Sequence, residues 1–346
     1  MRQGCPLSAY LFILAVEILA IQIRSSNNIK GIQIADAEIK ISQLADDTSL
    51  FIRDTESIKH IFSLLASFEM YAGLKANVEK TKFYNIGNTV INETKLQGPK
   101  FEKTPIQLLG ITVTDDENIS IEQNFTPRVK AIENILKHWS RRKLSLKGKI
   151  TVINSLALSL IVYPASNLST PNLILESLQS LFYEFLWDGK RPKIAAKTIE
   201  NTISLGGLKM PNIFLKVQAW QTSWLRRAIL NPTSNWLLIL NKIIGTTTFP
   251  YLIHGNCSPD EKILNNIPNF YRTILKTWYS IKDKTENHVL DIPSQPLWFN
   301  KQITVDNKIM FKQTWYNHGI LYIQDLLNNN GEFLSHSDVL EQLKIN

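Results

Sequence analysis

A pair of adjacent aspartates, Asp46 and Asp47, places the strongest constraint on the fold. Residues 39–45 before the pair and residues 48–52 after it are short runs rich in isoleucine, leucine and other strand-forming residues. Such runs on both sides of a two-residue turn are typical of paired strands, and aspartate is favoured in tight turns. The pattern therefore predicts a β-hairpin with Asp46 and Asp47 at its tip.

The segments around this hairpin predict two helices and further strands. After a loop over residues 2–8, Ser8 has the character of an N-cap for a helix with apolar residues at helical spacing. Asp54 or Thr55 can cap a second helix, which we expect to end at Gly73 because glycine is common directly after helices. Short strands are predicted over residues 81–86 and 106–113. Residues 1–113 thus indicate an antiparallel sheet with helices on one face.

The remainder of the chain is predicted to be helical. From about Ile121 the apolar residues recur at helical spacing, and a basic connection covers residues 187–211. Predicted helices include one that reaches Trp139, one over residues 144–163 and one over residues 173–187. The fold class expected for the whole chain is therefore α+β.

Length and composition favour a folded protein of two or three units with a polyanionic partner. At 346 residues, with 44% hydrophobic and 20% charged residues, the chain exceeds most single cores and has a globular balance. Its formal net charge of +8 suits nucleic acid. Cys5 and Cys257 are too few for a disulfide framework or a four-ligand zinc site, which points to a reducing compartment.

The most apolar run, residues 150–165, is predicted to be a buried helix. It is shorter than the roughly 20 residues that cross a membrane. It also contains Asn154, and Pro164 interrupts its end. With no recognisable signal peptide at the N-terminal side, we expect no membrane partner.

The acidic pair can hold a metal ion. Two adjacent carboxylates repel each other, and a divalent cation removes that conflict. Mg²⁺ prefers one or two carboxylates together with phosphates and water. Two such ions, roughly 3.5–4 Å apart, can hold the attacking and leaving oxygens of a phosphoryl transfer. The alternative for Asp46 and Asp47 is a solvated acidic turn.

A basic segment surrounds Trp139 and suits a phosphate backbone, because cations interleave with an aromatic residue. Its candidate contacts are Lys137, Arg141, Arg142, Lys143, Lys147 and Lys149. A solvated helical face is the alternative. Trp139 continues the apolar stripe of its helix, so we expect it in the core.

Four short motifs carry the most specific signal in the chain. Residues 2–8 read RQGCPLS, residues 44–47 LADD, residues 73–81 GLKANVEKT and residues 108–111 LLGI. In this order and at this spacing they resemble the motifs of reverse transcriptases from non-LTR (LINE-type) retrotransposons. The resemblance extends over nearly the whole chain and is closer up to about residue 225.

The resemblance implies a division into three regions. Residues 1–113 would form part of a polymerase palm, residues 114–190 a helical thumb and residues 191–346 a helical C-terminal region. The basic segment would then follow the minor groove of a template–primer duplex. Such contacts position a duplex without reading its sequence.

The resemblance also implies roles for single residues. Asp46 and Asp47 would be catalytic metal ligands for two Mg²⁺ ions, with Mn²⁺ as the alternative metal. Lys80 would act as a general acid toward the departing pyrophosphate; an ordinary exposed lysine is the alternative. The remaining implied contacts are Gln3, Gly4 and Pro6 with nucleotide and template, and Leu109 and Gly110 as the primer grip. A plain loop at Gly4 and a plain turn at Leu109-Gly110 are the alternatives.

The implied reaction is template-directed DNA synthesis on an RNA template, with a DNA primer and a dNTP as further partners. Because only Met1 and Arg2 precede the first motif, we expect the family's first catalytic aspartate and its fingers to be missing. An endonuclease domain and a zinc knuckle are not expected either. The alternative hypotheses are a non-catalytic nucleic-acid-binding remnant and a decayed product without a stable fold. The resemblance places the protein in the nucleus or cytoplasm and leaves the oligomeric state open.

Overall fold

The computed structural model describes most of the chain in two compact units. The units are Met1–Ser120 and Ile121–Asn346. The described residues are 5–34, 36–84, 101–102, 105–114, 116–231, 233–244, 261–282, 292–298, 300 and 303–342.

The first unit is built from helices and two-stranded sheets. Its helices are α1 (Pro6–Ser25) and α2 (Thr55–Ala72), and α3 (Glu117–Asn124) begins at its end. Its strands are β1 (Ile32–Ile34), β2 (Ala37–Ile39), β3 (Ile41–Leu44), β4 (Asp47–Leu50), β5 (Phe83–Tyr84), β6 (Phe101–Glu102), β7 (Ile106–Leu108) and β8 (Ile111–Val113).

The strands of the first unit pair two by two. Strands β1–β2, β3–β4 and β7–β8 are antiparallel hairpins, whereas β5 and β6 are parallel. The α+β class is therefore confirmed, but a single antiparallel sheet is not formed among the described residues. The strand predicted over residues 106–113 is wrong, because Leu109 and Gly110 turn the chain back between β7 and β8.

Helix α1 begins earlier than predicted. Cys5 is the residue before the helix and Pro6 is its first residue, where proline loses no hydrogen bond. The predicted N-cap, Ser8, therefore lies inside the first turn, and its N–H donates to the Cys5 carbonyl. Only the second half of the helix contributes to the core, through Leu19, Ala20 and Ile23.

The rest of α1 presents apolar side chains outside the core. Tyr10 is 68% exposed and Leu14 is 65% exposed, although the helix is apolar on most of its surface. The small core beneath the buried half also contains Ile29, Ile41 and Ile61, from the following loop, β3 and α2.

Helix α2 has the two ends that the sequence predicts. Asp54 is its N-cap and accepts a hydrogen bond from the Ser57 N–H at 2.8 Å. Gly73 follows its last residue in a left-handed conformation, φ 67°, and donates to the Glu69 carbonyl. A side chain with a Cβ is strained at such a φ, so glycine suits this end.

The second unit is mainly helical. Its helices are α4 (Thr126–Ser140), α5 (Leu146–Val152), α6 (Leu158–Asn167), α7 (Asn172–Trp187), α8 (Ala196–Glu200), α9 (Ile213–Leu230), α10 (Asn235–Ile244), α11 (Glu261–Asn266), α12 (Asn269–Lys282), α13 (Gln313–Asn317) and α14 (His336–Gln342). Strands β9 (Thr304–Val305) and β10 (Lys308–Ile309) form a short antiparallel hairpin. Short 3₁₀ turns cover Ile203–Leu205, Ile292–Ser294 and Ile323–Leu326.

The largest core of this unit lies among α4 to α9. Ile132 of α4, Ile161 of α6, Leu178 and Phe182 of α7, and Ile213 of α9 are fully buried in it. Two smaller cores follow along the chain, one around α9, α10 and α12 and one around Trp298 and Tyr316.

Helices α5 and α6 continue into each other through a short π-helical segment, Ile153–Ala157. The helix also runs past Pro164 to Asn167, so the predicted interruption at that proline is wrong. By length and composition, Pro6–Ser25 and Leu146–Asn167 could each cross a membrane. Residues at the π segment and in α6, including Ile153, Ile161 and Ala165, are buried in the main core, which confirms the predicted buried helix.

The cap of α2 yields a stability prediction. The Asp54 carboxylate accepts two hydrogen bonds from Ser57, one from the Ser57 hydroxyl at 2.7 Å and one from the Ser57 N–H. These hydrogen bonds lower the pKa of Asp54. We expect Asp54→Ala to lower the free energy of unfolding by about 0.5–2 kcal/mol, measured by chemical denaturation at neutral pH.

The same cap predicts a pH dependence. Because the folded-state pKa of Asp54 is lowered, the cap stabilises the fold above the ordinary aspartate pKa. This stabilisation disappears as the pH falls through the lowered value, so the wild type and Asp54→Ala should converge in acid. Asp54→Asn is the control, since it keeps an accepting oxygen that does not titrate. Equal stability of all three proteins at neutral pH would contradict the role of the cap.

Candidate functional site

The acidic pair lies at the hairpin formed by β3 and β4. Leu44 pairs with Asp47, so the two turn residues are Ala45 and Asp46, and Ala45 has φ 52°. The predicted tip is therefore shifted by one residue, because Asp47 is already the first residue of β4. Both carboxylates are exposed to solvent.

The described residues supply only part of a metal site at this hairpin. Asp46 and Asp47 can offer carboxylate oxygens to a divalent cation, with water completing its coordination. Within the described ranges, no group of three or more His, Cys, Asp or Glu side chains could hold a metal ion. Two Mg²⁺ ions at this pair would take their further ligands from substrate phosphates and water.

Lys80 does not join the acidic pair. Its N–H donates to Asn77 Oδ1 at 3.1 Å, and the Thr81 hydroxyl donates to the Asn77 carbonyl at 2.8 Å, which defines a tight turn. Its side chain is exposed, and in the described part of the chain no ion pair links it to Asp46 or Asp47.

The remaining residues predicted to contact nucleotide or template lie at or before the start of α1. Pro6 is the first residue of that helix. Gln3 and Gly4 lie outside the described residues.

Leu109 and Gly110 form the two-residue turn between β7 and β8. Both have positive φ, 49° and 77°, which is the pattern of a type I′ turn. Gly110 adopts it without cost, whereas a leucine is strained in this conformation. The Leu109 side chain is 40% exposed, so burial in a core does not account for it.

The strongest charged feature of the second unit is the turn between α4 and α5. It carries five exposed cations, which we call the basic turn: Lys137, Arg141, Arg142, Lys143 and Lys147. Helix α4 ends at Ser140, and Ser145 caps α5 by accepting from the Gly148 N–H at 3.2 Å. Among the described residues none of the five cations forms an ion pair, so all of them can meet an external anion.

Trp139 anchors this turn to the core. Its ring is partly buried and packs against the main core, as the sequence predicts. The Arg142 guanidinium lies 4.3 Å from the ring centroid, which is a cation–π distance. The aromatic residue therefore orients one cation and does not form an open stacking surface.

Lys149 is a correction to the predicted interface. Its side chain is buried, with the ammonium donating to Asp188 Oδ1 at 2.5 Å and to the Leu186 carbonyl at 3.2 Å. Its Nζ also lies 5.7 Å from the ring centroid of Phe185. Because all of these partners belong to the end of α7 or the residue after it, Lys149 holds α5 against α7 and cannot contact a phosphate.

A second set of exposed cations follows α7. We call it the basic loop: Lys190, Arg191, Lys193 and Lys197. The sequence shows a basic connection over residues 187–211, but motif spacing gave these four residues no binding role. The sequence feature that could have indicated a binding role is the local excess of cations, since Asp188 and Glu200 are the only acidic residues in the sequence from 187 to 211.

Comparison with known proteins shows what the chain is similar to. Residues 1–113 match the family model described as reverse transcriptase (RNA-dependent DNA polymerase). The chain is also similar to the transposon TX1 uncharacterized 149 kDa protein of Xenopus laevis, with 24% identity over 319 residues. This similarity covers 86% of the chain but 24% of the relative, so the chain spans about a quarter of that protein's length. These matches confirm the resemblance to a transposon-encoded reverse transcriptase.

The strained turn at Leu109 can be tested by stability. Asparagine tolerates positive φ better than leucine, and Asn-Gly is the favoured pair of a type I′ turn. We therefore expect Leu109→Asn to raise the free energy of unfolding by about 1 kcal/mol. The matched variant Gly110→Ala should lower it, because Gly110 has φ 77°. Loss of stability in Leu109→Asn, measured by the same denaturant titration, would show that the leucine side chain is needed for packing.

Proposed function

We propose that this chain is the part of a retrotransposon reverse transcriptase that holds an RNA template–DNA primer duplex. The observation that carries the proposal is the basic turn, whose five cations are exposed and form no ion pair among the described residues. Cations of this kind displace the counterions of a nucleic-acid backbone, which is the main source of sequence-independent affinity.

The proposal assigns a separate role to each region of the chain. Helix α4 and the start of α5 form the thumb that meets the duplex, and residues 1–113 form part of the palm. Leu109 and Gly110, at the tip of a hairpin, would contact the primer end. In this arrangement Ser145 fixes the course of the turn, and Trp139 fixes the direction of Arg142.

Template-directed DNA synthesis is the second candidate function. The order of the motifs and the acidic pair favour it, and polymerases of this type work with divalent metal ions. The acidic hairpin of this chain brings together two carboxylates and no third metal-binding side chain among the described residues. We therefore assign binding, and not synthesis, to the chain by itself.

Variants of two neighbouring lysines test whether the exposed cations, and not the buried one, bind the duplex. Lys147→Met and Lys149→Met remove the same charge two residues apart, but only Lys147 is exposed. We expect Lys147→Met to weaken binding of a blunt RNA–DNA duplex and to reduce the slope of log K against log salt by about 1. Lys149→Met should leave the slope unchanged, since its cation is already occupied by Asp188, and any loss of affinity should come with a loss of thermal stability, since Lys149 joins α5 to α7. Fluorescence anisotropy over a salt series measures the affinity and the salt slope. An equal reduction of the slope in the two variants would contradict a local interface at Lys147.

Primer extension distinguishes the two candidate functions. The purified chain is given an RNA template, a DNA primer, dNTPs and Mg²⁺, beside the Asp46→Ala variant. We expect no extension by either protein, together with salt-dependent duplex binding by both, because Asp46 lies outside the basic turn. Extension by the wild type that disappears in Asp46→Ala would overturn the assignment and establish synthesis as the activity of this chain.

A further inference from the structure

A cleft of about 300 Å³ lies beside the basic loop. Its lining residues are Tyr183, Pro192, Lys193, Ile194, Ala195 and Ala196. The volume is at the lower end of the roughly 300–1,000 Å³ typical of small-ligand sites. The lining is mainly apolar, apart from the tyrosine hydroxyl, Lys193 and the backbone.

The tyrosine that lines the cleft is held in place. Its hydroxyl donates to Glu200 Oε1 at 2.7 Å, and the Asn212 amide donates to Glu200 Oε2 at 3.2 Å. Burial raises the pKa of Tyr183 well above its usual value, and the hydrogen bond and charge of Glu200 raise it further, so the hydroxyl stays protonated. Tyr183 is partly buried against the main core and lines the cleft, and Ile194, 40% exposed, adds an apolar surface.

One cation, Lys193, lines this cleft, and three more belong to the same loop. Lys190, Arg191, Lys193 and Lys197 are exposed and form no ion pair among the described residues. Both acidic residues of this stretch are engaged, Asp188 by Lys149 and Glu200 by the Tyr183 hydroxyl and the Asn212 amide. The site therefore combines an aromatic slot with several unpaired cations, which matches a flat base attached to phosphates.

The start of the basic loop lies near the basic turn because of the ion pair between Lys149 and Asp188. Lys149 follows Lys147 by two residues, and Asp188 precedes Lys190 by two residues. The contact between Lys149 and Asp188 thus brings the start of the basic loop next to the start of α5. A duplex on the basic turn would have its single-stranded continuation close to the basic loop.

We infer that the cleft beside Tyr183 binds one base of a single-stranded nucleic-acid segment that continues from the duplex, while the basic loop binds the adjoining phosphates. The inference rests on the proposed duplex binding and adds a second, separate contact to it. An anionic lipid surface or a phosphopeptide would use the cations but would not need a cleft lined by an aromatic residue.

The experiment compares two substrates by fluorescence anisotropy. One is a blunt RNA–DNA duplex, and the other is the same duplex with a single-stranded template overhang. We expect the overhang to improve affinity about tenfold, as the stacking of one base on an aromatic ring would. Tyr183→Leu and Lys193→Glu should lose this gain and still bind the blunt duplex. An abasic site moved along the overhang should abolish the gain at one position.

Control variants distinguish loss of the aromatic ring from loss of folding. Tyr183→Phe retains the ring and should keep the gain, while thermal unfolding of each variant shows whether the core around Tyr183 is intact. A gain that is unchanged in a folded Tyr183→Leu protein, or insensitive to every abasic position, would overturn the inference while leaving duplex binding in place. The inference would also be overturned if vesicles containing anionic lipid displace the overhang from the wild type but not from Lys193→Glu, because the cations would then bind a lipid surface. Failure of the wild type to bind even the blunt duplex would instead overturn the proposed function.

Discussion

The arrangement of the proposed interface depends on one buried cation. Lys149 is 4% exposed and donates to a carboxylate and a carbonyl at the end of α7. A buried ammonium is tolerated only when it is paired, so this contact fixes how α5 meets α7. The two partners are not equivalent, because the Asp188 side chain is 57% exposed. Loss of Asp188 would leave a buried charge without its carboxylate, whereas loss of Lys149 would leave a carboxylate in water.

That contact also explains why two basic segments far apart in sequence form neighbouring surfaces. The basic turn precedes Lys149 and the basic loop follows Asp188, so one ion pair places both at the same end of α5 and α7. Lys149, which joins the two segments, is buried, whereas the five cations of the basic turn and the four of the basic loop are exposed. The proposed duplex contact and the proposed single-strand contact would therefore lie on either side of one ion pair.

The sequence predicts best where a local rule acts alone. Asp54 and Gly73 were predicted as the ends of α2 because capping depends on a few neighbouring residues. Where pairing or packing decides, the prediction failed: the hairpin turn is shifted to Ala45 and Asp46, and residues 106–113 fold back at Leu109. Lys149 looks like Lys147 in the sequence, and only the position of α7 shows that one is buried. The cleft at Tyr183 also depends on contacts that span 17 residues, which periodicity does not reveal.

The central claim, that the basic turn holds a nucleic-acid duplex, can be tested most directly by hydrogen–deuterium exchange of the wild-type chain with and without a blunt RNA–DNA duplex. We expect slower amide exchange across residues 137–148 when the duplex is present, and unchanged exchange in the acidic hairpin over residues 41–50. Protection at the hairpin and none at the basic turn would instead place the binding surface in the first unit.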